Sequence, residues 1–259
     1  MNERGSNSEV LTEVRGQVIT ITINRPEKRN ALSPEVTAGL RSAFAILDQR
    51  DDLRVGILTG AGGFFSSGMD LARFADGDGF DDSIVRDARP LKPLIAAVEG
   101  FAIAGGMELA LACDLIVASR SARFAIPEVK RGILAAGGGL ARLQHRIPFH
   151  LAMELAITGE PIDAARAASL GLVNRLTEPG ETLSAANSLA ASIISNGPLA
   201  VRFSKAVLVA GANASEEAAW ERQDEVLKYV LGSADAIEGP QAFLQKRSPE
   251  WMPDSVNSP

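Results

Sequence analysis

PLIAAVEGFAIAGGMELALACDLIVAS, residues 93–119, is the stretch whose reading decides the fold class. It opens with PLIAAVEG, a short apolar run closed by Glu99 and Gly100, which has the length and boundaries of a buried strand. Paired glycines follow at 105 and 106, and GGMELALAC then spaces its apolar residues as a helix does. DLIVAS, 114–119, returns to a short buried run. Strand, glycine turn, helix and strand in that order are the repeating unit of an α/β sheet.

The same grammar extends outward. VGILTG at 55–60 is a further strand and FHLAMELAITG at 149–159 a further helix. VITITI at 18–23 alternates strictly, so residues 8–24 are expected to form a strand pair turning near Gly16. Ser33 is an N-cap candidate with Pro34 behind it, and the apolar spacing beyond predicts a surface helix. After about residue 180 the periodicity is helical throughout, in SAANSLAASIISNG, PLAVRFSKAVLVAGA and SEEAAWERQDEVLKYVLG. The expected division is therefore a core over 1–190 and a helical region over 191–259. FADGDGFDDS at 74–83, rich in Gly and Asp, reads as a mobile loop.

The chain has 259 residues, 46% hydrophobic and 22% charged, which suffices for one large core. A net charge of −6 argues against nucleic acid or an anionic membrane as the partner. The N-terminal residues do not follow a secretory pattern and no apolar stretch approaches membrane-spanning length, so a cytoplasmic location is expected. Cys113, the single cysteine, lies in an apolar run and reads as core packing. It forms neither an intrachain disulfide nor, by itself, a metal site. His145 and His150 flank a helix start and have no Ser or Cys nearby in sequence, which gives them a boundary role.

Glycines cluster where strands should hand over to helices, in TGAGGFFSSGMDL (59–71), VEGFAIAGGMELA (98–110) and FAIPEVKRGILAAGGGLARL (124–143). Such turns expose backbone N–H groups, and where one opens a helix the first N–H groups lack partners and the dipole adds positive potential. A developing oxyanion is stabilised in that setting. The dinucleotide fingerprint GxGxxG is absent after the first strand, and no GxxxxGK[ST] occurs. Glu108 falls in the first turn of the 105–112 helix, and Glu128 follows Pro127 after a short apolar run. Two carboxylates sharing a poorly solvated site titrate as a pair and can divide acid and base work. Taken singly, Glu108 also reads as a helix-dipole partner and Glu128 as a solvated loop acid or ion-pair partner.

The segments NRPEKRNALS, FFSSGMDL, IAAVEGFAIAGGMELALACDL, ARFAIPEVKRGI and EGPQAFLQKRSPEW, in this order, resemble the crotonase superfamily, specifically its enoyl-CoA hydratases. The resemblance spans nearly the whole chain. It implies an α/β spiral of ββα units with a C-terminal helical trimerisation region, an acyl-CoA thioester as substrate, and a homotrimer or dimer of trimers. It also implies a place in fatty acid metabolism, with coenzyme A as part of the substrate and neither a separate cofactor nor a metal. In this family two backbone N–H groups bind the thioester oxygen, matched here by Met69 and Gly105, and the two hydratase glutamates are matched by Glu108 and Glu128.

The implied reaction is hydration. The carbonyl is polarised by the two amides, Glu108 deprotonates a water that attacks Cβ, and Glu128 protonates Cα. Lys28, Arg29 and Ala31 match the adenosine and phosphate segment, and Ser67, Gly68, Asp70 and Leu71 the turn beside it. Phe243 and Lys246 match tail residues that reach a ligand, in some relatives a neighbouring subunit's. The chain departs from the common pattern at Ala72, where many hydratases carry Lys, and at Ala135 and Leu140, where Pro and Thr are frequent. A Δ3,Δ2-enoyl-CoA isomerase, another acyl-CoA lyase of the same superfamily and a catalytically silent acyl-CoA-binding subunit are the alternatives.

Overall fold

The computed structural model describes residues 3–7, 9–70, 83–86, 89–212, 229 and 232–252. Leu71, Ala72, almost all of the loop expected at 74–83 and most of the helix expected at 215–232 lie outside the described residues. Of Phe243 only the backbone is described.

A seven-stranded sheet forms the centre, in the order β1(Glu3–Asn7), β2(Val10–Arg15), β3(Val18–Ile23), β4(Val55–Gly60), β5(Leu94–Val98), β7(Leu115–Ser119) and β10(Arg175–Thr177). The first three strands run antiparallel, and from β3 onward neighbours are parallel. Gly16 makes the β2–β3 turn with φ +58°, a backbone region open to glycine. Ile19, Ile21 and Ile23 bury one face of β3. That face packs on α1(Pro34–Gln49) through Val36, Leu40, Ala43, Phe44 and Leu47. The Ser33 hydroxyl caps α1 by accepting from the Val36 amide at 3.1 Å.

The other sheet face carries Val18, Val55, Ile57, Ile95, Ala97 and Val117, covered by α7(Thr182–Ile194) through Ala186 and Ala190. The expected boundary at residue 190 therefore falls inside a helix that belongs to the core. Beyond it, α8(Pro198–Ala212) is tied to the sheet by Lys205, whose ammonium donates to Pro90 O, Lys92 O and the Asp114 carboxylate at 2.6–2.9 Å. Trp251 lies against Gly197 and Gly239 and donates from its indole to Ser195 O at 2.9 Å. It joins α9(Ala234–Gln245) to the end of α7.

A smaller sheet, β6(Phe101–Ile103), β8(Arg123–Ala125) and β9(Ile162–Asp163), positions the site. β6 and β8 are parallel, with Ile103 opposite Ala125. Ser66 pairs in parallel with Ala102 on the other side of β6. Three extended segments thus run the same way and finish at one edge. From that edge rise the Gly68 turn, α3(Gly105–Ala112) and the 3-10 turn Glu128–Arg131.

Among the described residues no single helix is long and apolar enough to cross a membrane. Cys113 is buried with its thiol directed at Leu109 O, and burial raises its pKa, as a packing role requires. His145 and His150 are exposed around the start of α5(Phe149–Thr158).

Candidate functional site

Leu32 holds the strand-like contact to residue 69 from both sides, donating to Gly68 O at 2.8 Å and accepting from Asp70 N at 3.2 Å. In a parallel bridge of this kind the central residue's own N–H points away, so the Met69 amide is turned outward. Gly105 is the first residue of α3 and has no intrahelical acceptor. Among the described residues neither amide donates a hydrogen bond. They are close neighbours: a Cβ built on Gly105 would lie 3.5 Å from Met69 N and 3.5 Å from Gly68 Cα.

Glycine is required where these turns touch. Gly68 has φ +88°, and a Cβ there would meet Gly105 N and Ala104 Cβ at 2.8 Å. Ala104, a non-glycine residue at φ +54°, turns β6 sharply into α3. The amides at 69 and 105 open on a cavity of about 300 Å³ whose lining includes Ser67, Met69, Gly105, Pro127, Glu128 and Leu134.

Glu128 lines this cavity although the residue is only 8% exposed. Its Oε2 is buried without a hydrogen-bond partner. Burial pushes the carboxyl up to about 7, and the nearby Glu108 charge adds to the rise, against a lowering backbone hydrogen bond. A proton is therefore held there at neutral pH in a substantial fraction of molecules.

Glu108 is 1% exposed and sits deeper, beneath residues 137–139. Its Oε1 accepts from Gly139 N at 2.9 Å. Any side chain at 137 or 139 would strike it, since a Cβ at Gly137 would lie 2.6 Å from Oε2 and one at Gly139 3.0 Å from Oε1. The two glutamates interact electrostatically, which puts them in one region, but Glu128 lines the cavity and Glu108 stands behind its wall.

The segment expected to meet coenzyme A is braided to the same turn. Ser67 N donates to Arg29 O at 3.0 Å, and Ser66 Oγ to Asn30 O at 2.8 Å. Asn30, fully buried, donates to Ala61 O and Phe64 O and accepts from Arg25 N. Arg29 and Asn30 both have positive φ, which swings Lys28 and Arg29 out to solvent while Ala31 stays buried. Asp70 is not a free ligand group: its carboxylate pairs with the buried Arg25 at 3.3 Å. Lys246 is exposed at the end of α9. Arg131, Ile133, Leu134 and Ala136 also line the cavity; they lie within the glycine-bearing segment 124–143, whose reading from sequence gave a role only to Glu128. The glycine run beside them is visible in the sequence, but its glutamate neighbour is not. Ala135 is buried under this segment, and Leu140 packs on the core.

Residues 13–254 match the family model described as enoyl-CoA hydratase/isomerase. Among curated proteins, enoyl-CoA hydratase EchA19 of Mycobacterium tuberculosis is 40% identical, covering 95% of this chain and 97% of its own. Carnitinyl-CoA dehydratase of Proteus mirabilis is 39% identical over 92% of this chain and 95% of its own. Among solved structures, an enoyl-CoA hydratase from M. tuberculosis H37Rv superposes with a TM-score of 0.89 at 50% identity, covering 95% of this chain and 99% of the other. Enoyl-CoA hydratase EchA1 from Mycobacterium marinum gives 0.89 at 49%, with the same coverage.

Proposed function

Because the chain belongs to the enoyl-CoA hydratase/isomerase family, we propose that it is a hydro-lyase that adds water reversibly across the 2,3 double bond of a 2-enoyl-CoA thioester. One observation carries this reading beyond the family. Two outward-turned amides, at Met69 and Gly105, share a cavity with a carboxyl that retains its proton near neutrality. The thioester oxygen accepts from both amides, which draws electron density from Cβ, each donor contributing about 3 kcal/mol in the transition state. Glu108, its Oε1 fixed by Gly139 N, takes the proton of the attacking water, and Glu128 gives its proton to Cα. For Glu108 to reach that water, the 137–139 segment must leave a path to its carboxylate. Dehydration runs the same steps backward, and one relative is named carnitinyl-CoA dehydratase.

Lys28 and Arg29 supply exposed positive charge for the coenzyme A phosphates, and Ser67, Gly68 and Ala31 shape the turn they flank. No cofactor or metal enters the proposed chemistry. A homotrimer or dimer of trimers is the proposed assembly, supported by an exposed apolar face formed by Val129, Leu134, Phe149, Met153 and Ile157 around a groove of about 320 Å³. The proposed location is cytoplasmic.

The test is to incubate the protein with 2-enoyl and 3-enoyl thioesters separately. Loss of conjugated thioester absorbance from the 2-enoyl substrate, with formation of the 3-hydroxyacyl product, is expected. Double-bond migration without hydration would assign the isomerase instead, and binding without turnover a silent subunit.

A further inference from the structure

We propose that Arg142 is a positioning residue for this chemistry, clamping the glycine segment 137–139 so that the Gly139 amide holds the Glu108 carboxylate. The inference rests on the hydratase reading for its kinetic consequence, but the clamp itself is a matter of geometry.

Three contacts link Arg142 to Glu108 through residues 137–139. Arg142 Nη1 donates to Gly137 O at 3.1 Å, and Arg142 N donates to Gly138 O at 3.0 Å. Gly139 N, which follows them in the chain, donates to Glu108 Oε1 at 2.9 Å. Gly138 has φ +94°, and a Cβ there would lie 2.6 Å from Nη1, so the guanidinium lies directly against the loop backbone. The carbonyl of 138 and the amide of 139 share one peptide plane, which the Arg142 backbone amide holds, and the guanidinium holds the plane before it, so only the two Gly138 torsions lie between the held planes. Holding the 137 carbonyl with a charged donor restricts the Gly138 torsions through which the Gly139 amide could leave Glu108.

Burial, with Arg89 close by, lowers the Arg142 guanidinium to about 10, and Glu108 acts in the opposite sense. It therefore remains cationic at neutral pH. Among the described residues the charged or titratable groups around it include Arg89 ahead of β5, Arg146 beyond α4(Gly139–Leu143), and Glu108 and Cys113 on and at the end of α3, with Asp114, His145 and Lys205 lining the same cavity as Arg142. Loss of the Arg142 charge leaves Glu108 with less positive potential and an unclamped donor.

The experiment compares wild type, Arg142→Gln and Arg142→Lys in steady-state hydration of 2-butenoyl-CoA across pH. Arg142→Gln is expected to lose about tenfold or more in kcat with KM within about twofold, and its acidic limb to move to higher pH. Arg142→Lys, which restores the charge, is expected to return the limb toward the wild-type position. Protection of the Gly139 amide against hydrogen exchange should fall about tenfold or more in Arg142→Gln, whether or not the wild type hydrates this substrate. Retained protection, or kcat equal to wild type, would overturn the proposal. So would equal losses in melting temperature and KM with an unmoved limb. An inert wild type with the protection change intact would count against the hydratase reading alone. If Arg142→Gln does not fold, Arg142→Lys carries the test: it keeps the charge without the planar donor, and full wild-type protection of the Gly139 amide in it together with a wild-type kcat would overturn the proposal.

Discussion

Met69 N stands 3.5 Å from the position a Cβ on Gly105 would take, so the two outward amides share one wall of the cavity and a single methyl can obstruct both. Gly105 does not have positive φ, and its nearest neighbours are at ordinary contact distance. Alanine therefore fits. In a helix it is favoured over glycine by roughly 0.5–1 kcal/mol. Gly105→Ala is expected to melt no lower than wild type while losing about a hundredfold in kcat, the magnitude of one oxyanion donor. A thermal melt and a hydration assay on the same sample check both halves.

The next residue should respond in the opposite way. A Cβ on Gly106 would lie 2.3 Å from Ser66 O, a backbone atom that already accepts from Ile103 N at 3.0 Å. Gly106→Ala must push apart two paired segments, and a loss of at least about 2 kcal/mol is expected from the urea midpoint.

Glu108→Gln and Glu128→Gln keep the side-chain volume and remove the titrating proton. Each is expected to lose about 10²–10⁴ in kcat while still binding coenzyme A, as measured by calorimetry with a saturated acyl-CoA. The carboxamide oxygen introduced by Glu108→Gln can still accept from Gly139 N, so neither change should unfold the protein.

Stability should also follow the Glu128 proton. The folded carboxyl titrates at about 7, against 4.5 as the ordinary value, so between those limits the native state holds a proton that the unfolded chain has lost. The resulting contribution is complete below the lower value and disappears as pH rises through the upper one. The melting temperature of wild type relative to Glu128→Gln should therefore fall between about pH 5 and pH 8. Hydration should decline above about pH 7 for the same reason, since the group proposed to protonate Cα is then ionised.

Lys28 and Arg29 are exposed, and screened surface charges of this type contribute roughly 0.2–1 kcal/mol each. Removing either to Ala is expected to raise KM by up to about fivefold without changing kcat, and the difference should shrink as salt is added. A large kcat effect would place these side chains nearer the chemistry than their exposure suggests.

Much of this was legible because it is local. The Ser33 cap, the Gly16 turn, the apolar runs at 55–60, 94–98 and 115–119, and the helix opening at Gly105 each depend on residues within a few positions of one another. The α/β spiral expected from sequence is the fold shared with the solved hydratases. β6 and β9 were not legible, since three and two residues are too few to show a period. The division expected at 190 falls within α7, whose Ala186 and Ala190 pack on the sheet, a contact between distant segments that helical spacing alone does not display. The cover over Glu108 is a meeting of residues 108 and 139, which no spacing rule anticipates.

The shared edge at which the segments around 66, 102 and 124 terminate has a consequence for how activity is acquired. Each contributes only a fragment, and the pairings that align them join positions far apart along the chain, contacts that are slow to form because distant loops must close first. No partly folded species can own half of a working cleft. During refolding, enzyme turnover should return with the last spectroscopic phase and trail the recovery of helical signal, so catalysis itself serves as the gauge of complete tertiary assembly.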